Sequence, residues 1–186
     1  MTKLVEVNGC RVACTVVGNG PALLLLHGAE GNHHMFDELV TRLAVDFTVI
    51  GYDQRDCGET QNSEQPTSLL ELADDAAALL AALGYQQAHV YGTSFGGRVA
   101  QALAHAHPQV VDHLILGSTW ELPSSLEKLN PSVVGEIGRL RSLLPGTAEE
   151  LAQLFLPISI LGQRPELKDL FRKVNAQSPR SMRRQA

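Results

Sequence analysis

Residues Val90–Pro108 read VYGTSFGGRVAQALAHAHP, with Gly92-Thr93-Ser94-Phe95-Gly96 at the centre. A G-x-S-x-G pattern takes its meaning from a strand before it and a helix after it. Both flanks are present: Ala88 to Tyr91 reads as a strand, and Ser94 to His107 as a helix. A tight strand-to-helix turn needs small residues around the serine, and Gly92, Gly96 and Gly97 supply them. The Ser94 oxygen would then stand at the mouth of a sheet, above a helix N-terminus that favours developing negative charge. The plainer alternative is a serine N-cap after a glycine turn. The strand and helix on either side favour the nucleophile.

Outward from this stretch, strands and helices alternate. Leu4 to Val7 and Arg11 to Val17 flank Asn8-Gly9, a strong hairpin signal. Ala22 to Leu26 is short and wholly apolar, as a strand buried on both faces would be. Asn32 is placed to cap a helix running to about Ala44, with Met35, Phe36, Leu39, Val40 and Leu43 at helical spacing. Phe47 to Tyr52 is the next buried strand, and a polar loop from Asp53 to Pro66 follows. Thr67 or Ser68 starts a helix that reaches Leu83 and ends at Gly84. Val110 to Gly117 is a further strand. This alternation predicts an α/β fold, a mostly parallel sheet with helices on both faces. After Ser118 the pattern changes to short helices broken by prolines, with no further convincing strand. The expected division is a core over residues 1–118 and a partial helical cap over 119–186.

Length and composition narrow the classes. The chain has 186 residues, 44% of them hydrophobic, and a formal net charge of −5. That suits one domain with a sizeable core. A mildly acidic chain offers no electrostatic reason to expect nucleic acid or an anionic membrane as partner. The basic stretch Lys168, Arg172, Lys173, Arg180, Arg183 and Arg184 reads as a solvated helix face. The apolar run Ala22–Leu26 is far below a membrane span. Cys10, Cys14 and Cys57 form no zinc pattern and read as small apolar groups in a reducing, cytoplasmic setting. No motif implies a metal or an organic cofactor.

An acyl-transfer serine needs donors for the oxyanion. The N–H of Phe95 is one, and the N–H of Ala29, in the loop after the Ala22–Leu26 strand, is the candidate second. His27 reads as a structural residue holding that loop. His33 and His34 begin the next helix and are placed to line a substrate pocket. Met35, Phe36, Phe95, Trp120 and Leu122 are candidates for an apolar acyl pocket, and each is equally a candidate for the core.

The pieces LLLLHGAEGNHHMF, VIGYDQRDCGET and VYGTSFGGRVAQALA resemble the α/β-hydrolase superfamily, and its small esterase, lactonase and carbon–carbon-bond hydrolase group most. The resemblance covers about the first 120 residues. Asp56 stands where many members have glycine. The resemblance implies a serine hydrolase of carboxylic esters or lactones, with a small-molecule substrate. It also implies an acid and a histidine on loops after two further strands, so that this chain is expected to be a partial one. Carbon–carbon or peptide bond cleavage, or a silent binding module, are the alternatives.

Within the chain a base is hard to find. His113 is the last histidine, and Asp112 is the one carboxylate between it and Ser94. Neighbours on a strand point to opposite faces, so these two are not expected to pair. His105 and His107 lie roughly 16–20 Å along the helix from Ser94. His89 is about 16 Å back along its strand. Glu121 matches the acid position only weakly. A strand Val110–Gly117 left at the margin would be an exposed apolar edge, prone to self-association.

Overall fold

The computed structural model describes residues 1–172 and 183–185. The described residues of Met1–Pro123 and Pro179–Ala186 form one compact unit, and those of Ser124–Ser178 a second. In the first unit the strands are β1 (Lys3–Val7), β2 (Cys10–Val17), β3 (Ala22–Leu26), β4 (Thr48–Tyr52), the two-residue β5 (Thr67–Ser68), β6 (Ala88–Thr93) and β7 (Val111–Gly117). Six of them make one sheet in the order β1-β2-β4-β3-β6-β7.

The hairpin forms where Asn8-Gly9 predicts it. Val7 faces Cys10 across a two-residue turn. Asn8 and Gly9 both take positive φ, 45° and 75°, as the favoured hairpin turn requires. β2 runs antiparallel to β4, and β3 is parallel to both β4 and β6. All five residues of β3 are buried, which explains the unbroken apolar run.

Side-chain alternation along β3 sorts the core onto two faces. Leu23 and Leu25 meet Phe36, Val40 and Val49. Leu24 and Leu26 belong to a larger cluster with Leu72, Leu79, Leu80, Val99 and Leu103. Helix α1 (Asp37–Leu43) therefore covers one face, and α2 (Leu69–Ala82) with α3 (Phe95–Ala106) covers the other. Helix α2 begins with a complete capping box, Ser68 to the Glu71 N–H and Glu71 back to the Ser68 N–H. The helix expected from Asn32 is split. Asn32 does cap, accepting from the His34 N–H, but His33–Phe36 winds as a 3-10 turn ahead of α1. The His33 N–H and ring are both committed to the Asp53 carboxylate, which fixes this turn independently of α1.

Two features depart from expectation. Ala88 faces Val111 and Val90 faces Leu114, so the single residue His89 stands opposite both Asp112 and His113. This is a β-bulge, and it overrides strand alternation. Asp112 and His113 do approach each other, with 3.2 Å between Oδ2 and Nδ1. Residues 184–185 also form a short strand, β8 (Arg184–Gln185), parallel to β5, where no strand was expected after Ser118.

The first unit extends to Pro123 because side chains of α3 hold the segment after β7. Gln101 donates to the Trp120 carbonyl at 2.8 Å and Arg98 to the Leu122 carbonyl at 2.6 Å. The second unit holds α4 (Leu126–Leu129), α5 (Pro131–Ser142), α6 (Ala148–Phe155), α7 (Ile158–Gln163) and α8 (Lys168–Arg172). Its buried side chains include Leu140, Leu151, Ala152 and Leu161. Lys168 pairs with Glu149 and Arg172 with Asp169 on the surface, as a solvated face would. Lys173 and Arg180 of the same basic stretch lie outside the described residues. No helix among the described residues is long and apolar enough to cross a membrane.

Candidate active site

Ser94 joins β6 to α3 with φ 53° and ψ −122°. A non-glycine residue in such a conformation costs on the order of 1–3 kcal/mol and persists only where its surroundings over-determine it. They do so here. The Ser94 N–H donates to the Gly117 carbonyl at 3.0 Å. Its carbonyl accepts from the Gly97 N–H at 3.0 Å and from Thr119 Oγ1 at 2.7 Å. A Cβ at Gly92 would lie 2.4 Å from the Gly96 carbonyl oxygen, and one at Gly96 would lie 2.2 Å from that of Leu26. The turn closes only because both positions lack side chains.

Ser94 is half-buried, and Gly28 lies directly against it. The position of a Gly28 Cβ is 3.5 Å from Ser94 Cβ and 3.9 Å from Oγ. The loop after β3 thus passes the serine hydroxyl, with Ala29 next in the chain. The Gly31 N–H closes that loop onto the Gly28 carbonyl at 3.1 Å. His27 ties it to the following one. Its Nδ1 donates to the Gly28 carbonyl at 2.8 Å, and its Nε2 accepts from the Gln54 N–H at 3.1 Å. Full burial pushes its pKa down to about 4, so the ring is neutral and committed to scaffolding. Phe95 opens α3, where backbone N–H groups have no intrahelical partner.

Asp53 organises the next layer. It is fully buried and accepts from the N–H groups of His33 and Glu59 at 2.7 Å, and from His33 Nδ1 at 2.7 Å. Burial alone would raise its carboxyl, but those N–H groups and the ring hold it below the ordinary value. Asp56 takes φ 63°, the left-handed region that favours glycine. Its backbone N–H donates to Asn62 Oδ1 at 2.8 Å.

The other candidate residues separate. Trp120 and Leu122 are half-buried beside α3, Trp120 with the Arg98 guanidinium 5.2 Å over its ring, and Leu122 against the larger core cluster. Phe36 is 5% exposed in the core of the opposite face, edge-on to Tyr91. His34 is exposed and pairs with Asp37 at 3.1 Å. His33, read as a pocket residue, is buried on Asp53 instead. Cys57 sits near the Ala29 carbonyl, but burial pushes its thiol up to about 11, far from a reactive thiolate.

Two arginines that the composition placed on a solvated face reach this region. Arg184 is 6% exposed, donates to the Ala29 carbonyl, and lies 5.1 Å over the Phe95 ring. Arg183 pairs with Asp56 at 2.7 Å. Separations of 155 and 127 residues leave no local signal for either contact.

None of the seven histidines hydrogen-bonds the Ser94 hydroxyl among the described residues. His27 and His33 are committed as above. His107 pairs with Asp74, and His89 and His113 with Asp112.

Residues 21–160 match the family model described as the alpha/beta hydrolase fold. An uncharacterized protein of Mycobacterium tuberculosis is 34% identical over 152 residues, covering 82% of this chain and 42% of that protein. A fluoroacetate dehalogenase of Burkholderia is 36% identical over 117 residues, 59% of this chain and 38% of the enzyme. A thermophilic esterase of Thermogutta terrifontis superposes with TM-score 0.77 at 25% identity, covering 98% of this chain and 70% of the esterase. The chain thus spans less than half the length of these two curated relatives. A serine at a strained strand-to-helix turn, a glycine loop against its hydroxyl and the match over most of the chain agree: this protein belongs to the α/β-hydrolase fold family.

Proposed function

We propose that Ser94 is the nucleophile of a serine hydrolase acting on carboxylic esters or lactones. The observation that carries this reading is the Ser94 backbone, held at φ 53° between β6 and α3 with Gly28 beside its hydroxyl. Such strain is kept where it presents a side chain to a reaction. In this mechanism Ser94 Oγ attacks the ester carbonyl carbon. The N–H groups of Phe95 and Ala29 hold the oxyanion. The ester C–O bond breaks and the alkoxide departs as the alcohol with the proton given up by Ser94, and water then hydrolyses the acyl-enzyme to the carboxylic acid and free Ser94. A lactone presents the same carbonyl in a ring. The structural likeness to an esterase supports this substrate class. Trp120 and Leu122, beside α3, are the candidates for acyl contacts.

A second reading is a binding module without turnover. It is favoured by the lack of a histidine on Ser94 among the described residues, since an unassisted serine is a poor nucleophile. Labelling the 186-residue chain with a fluorophosphonate probe separates the two. Labelling that disappears in Ser94→Ala supports the hydrolase. A folded chain that never labels supports the binding module for this chain.

A further inference from the structure

The bulge between β6 and β7 gathers three donor groups that the hydrolase reading does not use. His89 Nδ1 lies 3.2 Å from Asp112 Oδ2 and 3.2 Å from His113 Nδ1. Asp112 Oδ2 is also 3.2 Å from His113 Nδ1. The three atoms form an equilateral triangle. Around a tetrahedral zinc ion, with bonds of about 2.0–2.1 Å, ligand atoms stand roughly 3.3 Å apart. The triangle therefore has nearly the size that one shared metal ion would impose.

We propose that His89, Asp112 and His113 bind one divalent transition-metal ion of the zinc class and so fasten the edge strand β7 to β6. Two imidazoles and a carboxylate are a donor set that such ions accept. Three atoms each within contact of the other two share only the protons of two rings. A cation above the triangle engages all three lone pairs at once. The bulge is what makes the site possible. Regular alternation would send Asp112 and His113 to opposite faces, and the bulge turns both toward His89. His89 is half-buried, with Phe47 edge-on 5.8 Å from its ring, which limits its orientation. Asp112 and His113 are exposed, so an ion has a path in and water can complete the coordination. His89 is five residues before Ser94, roughly 16 Å along the strand at about 3.3 Å per residue, so the site is separate from the nucleophile.

The test uses the 186-residue chain without a polyhistidine tag. Zn2+ is titrated against a chromophoric chelator, and stoichiometry is read by equilibrium dialysis. The expected result is one ion per chain, a rise in melting temperature with Zn2+, and visible absorption typical of a bound ion when Co2+ replaces it. His89→Gln and His113→Gln are each expected to weaken binding by more than about tenfold, the loss that even an outer-sphere change can bring at a metal site. His113 is largely exposed, so its variant keeps the fold. Asp112→Asn serves as a further variant, and all are compared by melting in chelator. Imidazole NMR shifts of His89 and His113 on adding Zn2+ check the ligands without mutation. No bound Zn2+, or binding unchanged in both histidine variants, overturns the proposal.

Discussion

At the scale of single residues, Ser94 and His27 carry opposite kinds of stress. Ser94 holds an unfavourable backbone conformation, and glycine would adopt the same angles freely. Ser94→Gly and Ser94→Ala both delete the hydroxyl, but only the first removes the strain. The glycine variant is expected to be about 1 kcal/mol more stable than the alanine variant, once about 1–3 kcal/mol of relief is offset by the freer unfolded chain. Urea unfolding midpoints check this, and an alanine variant of equal or greater stability contradicts it. His27 is buried neutral with its pKa lowered from 6.5 to about 4. Between those values the unfolded chain binds a proton that the folded chain refuses. Its contribution is therefore complete above about pH 6.5 and is lost as pH falls toward 4, by up to about 3 kcal/mol. Stability measured from pH 7 to 4.5 should fall with that slope, and His27→Gln should flatten it. The turn glycines were legible because no other residue fits there. The pairings of His33 with Asp53, Asp56 with Arg183 and the Ala29 carbonyl with Arg184 were not, because the partners lie 20 to 155 residues apart in sequence.

At the scale of elements, periodicity did most of the work, and its failures have physical causes. The hairpin, the buried β3 and the ends of α2 follow from turn chemistry, apolar runs and caps. Glu71 closes the capping box on Ser68, and the Ser68 N–H and hydroxyl hold its carboxyl below the ordinary range. Ser68→Ala is expected to cost about 1 kcal/mol, seen as a lower urea midpoint with unchanged slope. An unshifted midpoint would mean that packing of Leu72, Leu79 and Leu80 holds this helix unaided. The β6–β7 bulge escaped pattern reading because period-2 alternation carries no mark for an extra residue. The 3-10 turn at His33 was hidden for a related reason. A tertiary contact, Asp53, sets its geometry, and helical spacing from Asn32 onward looks the same either way.

At the scale of the whole molecule, the sheet is closed differently at its two ends. The β1–β2 hairpin finishes one side, and β1 carries polar residues such as Lys3 and Glu6. The other side ends at β7, whose outer backbone groups have no neighbouring strand among the described residues. Three consecutive apolar residues of β7 stay open: Leu114 at 38%, Ile115 at 51% and Leu116 at 44% exposure. Because neighbours on a strand alternate, both faces of this edge are apolar. An unpaired, apolar edge is a template for pairing with another chain. The 186-residue chain is therefore expected to self-associate as its concentration rises, with sedimentation coefficients that increase with loading. Ile115→Lys places a charge on the edge without emptying a buried site, and should return the chain toward the monomer while leaving its melting temperature within about 2–4 °C. If wild type and variant sediment alike as monomers at every concentration, the edge is not sticky, and the exposed leucines and isoleucine need another explanation.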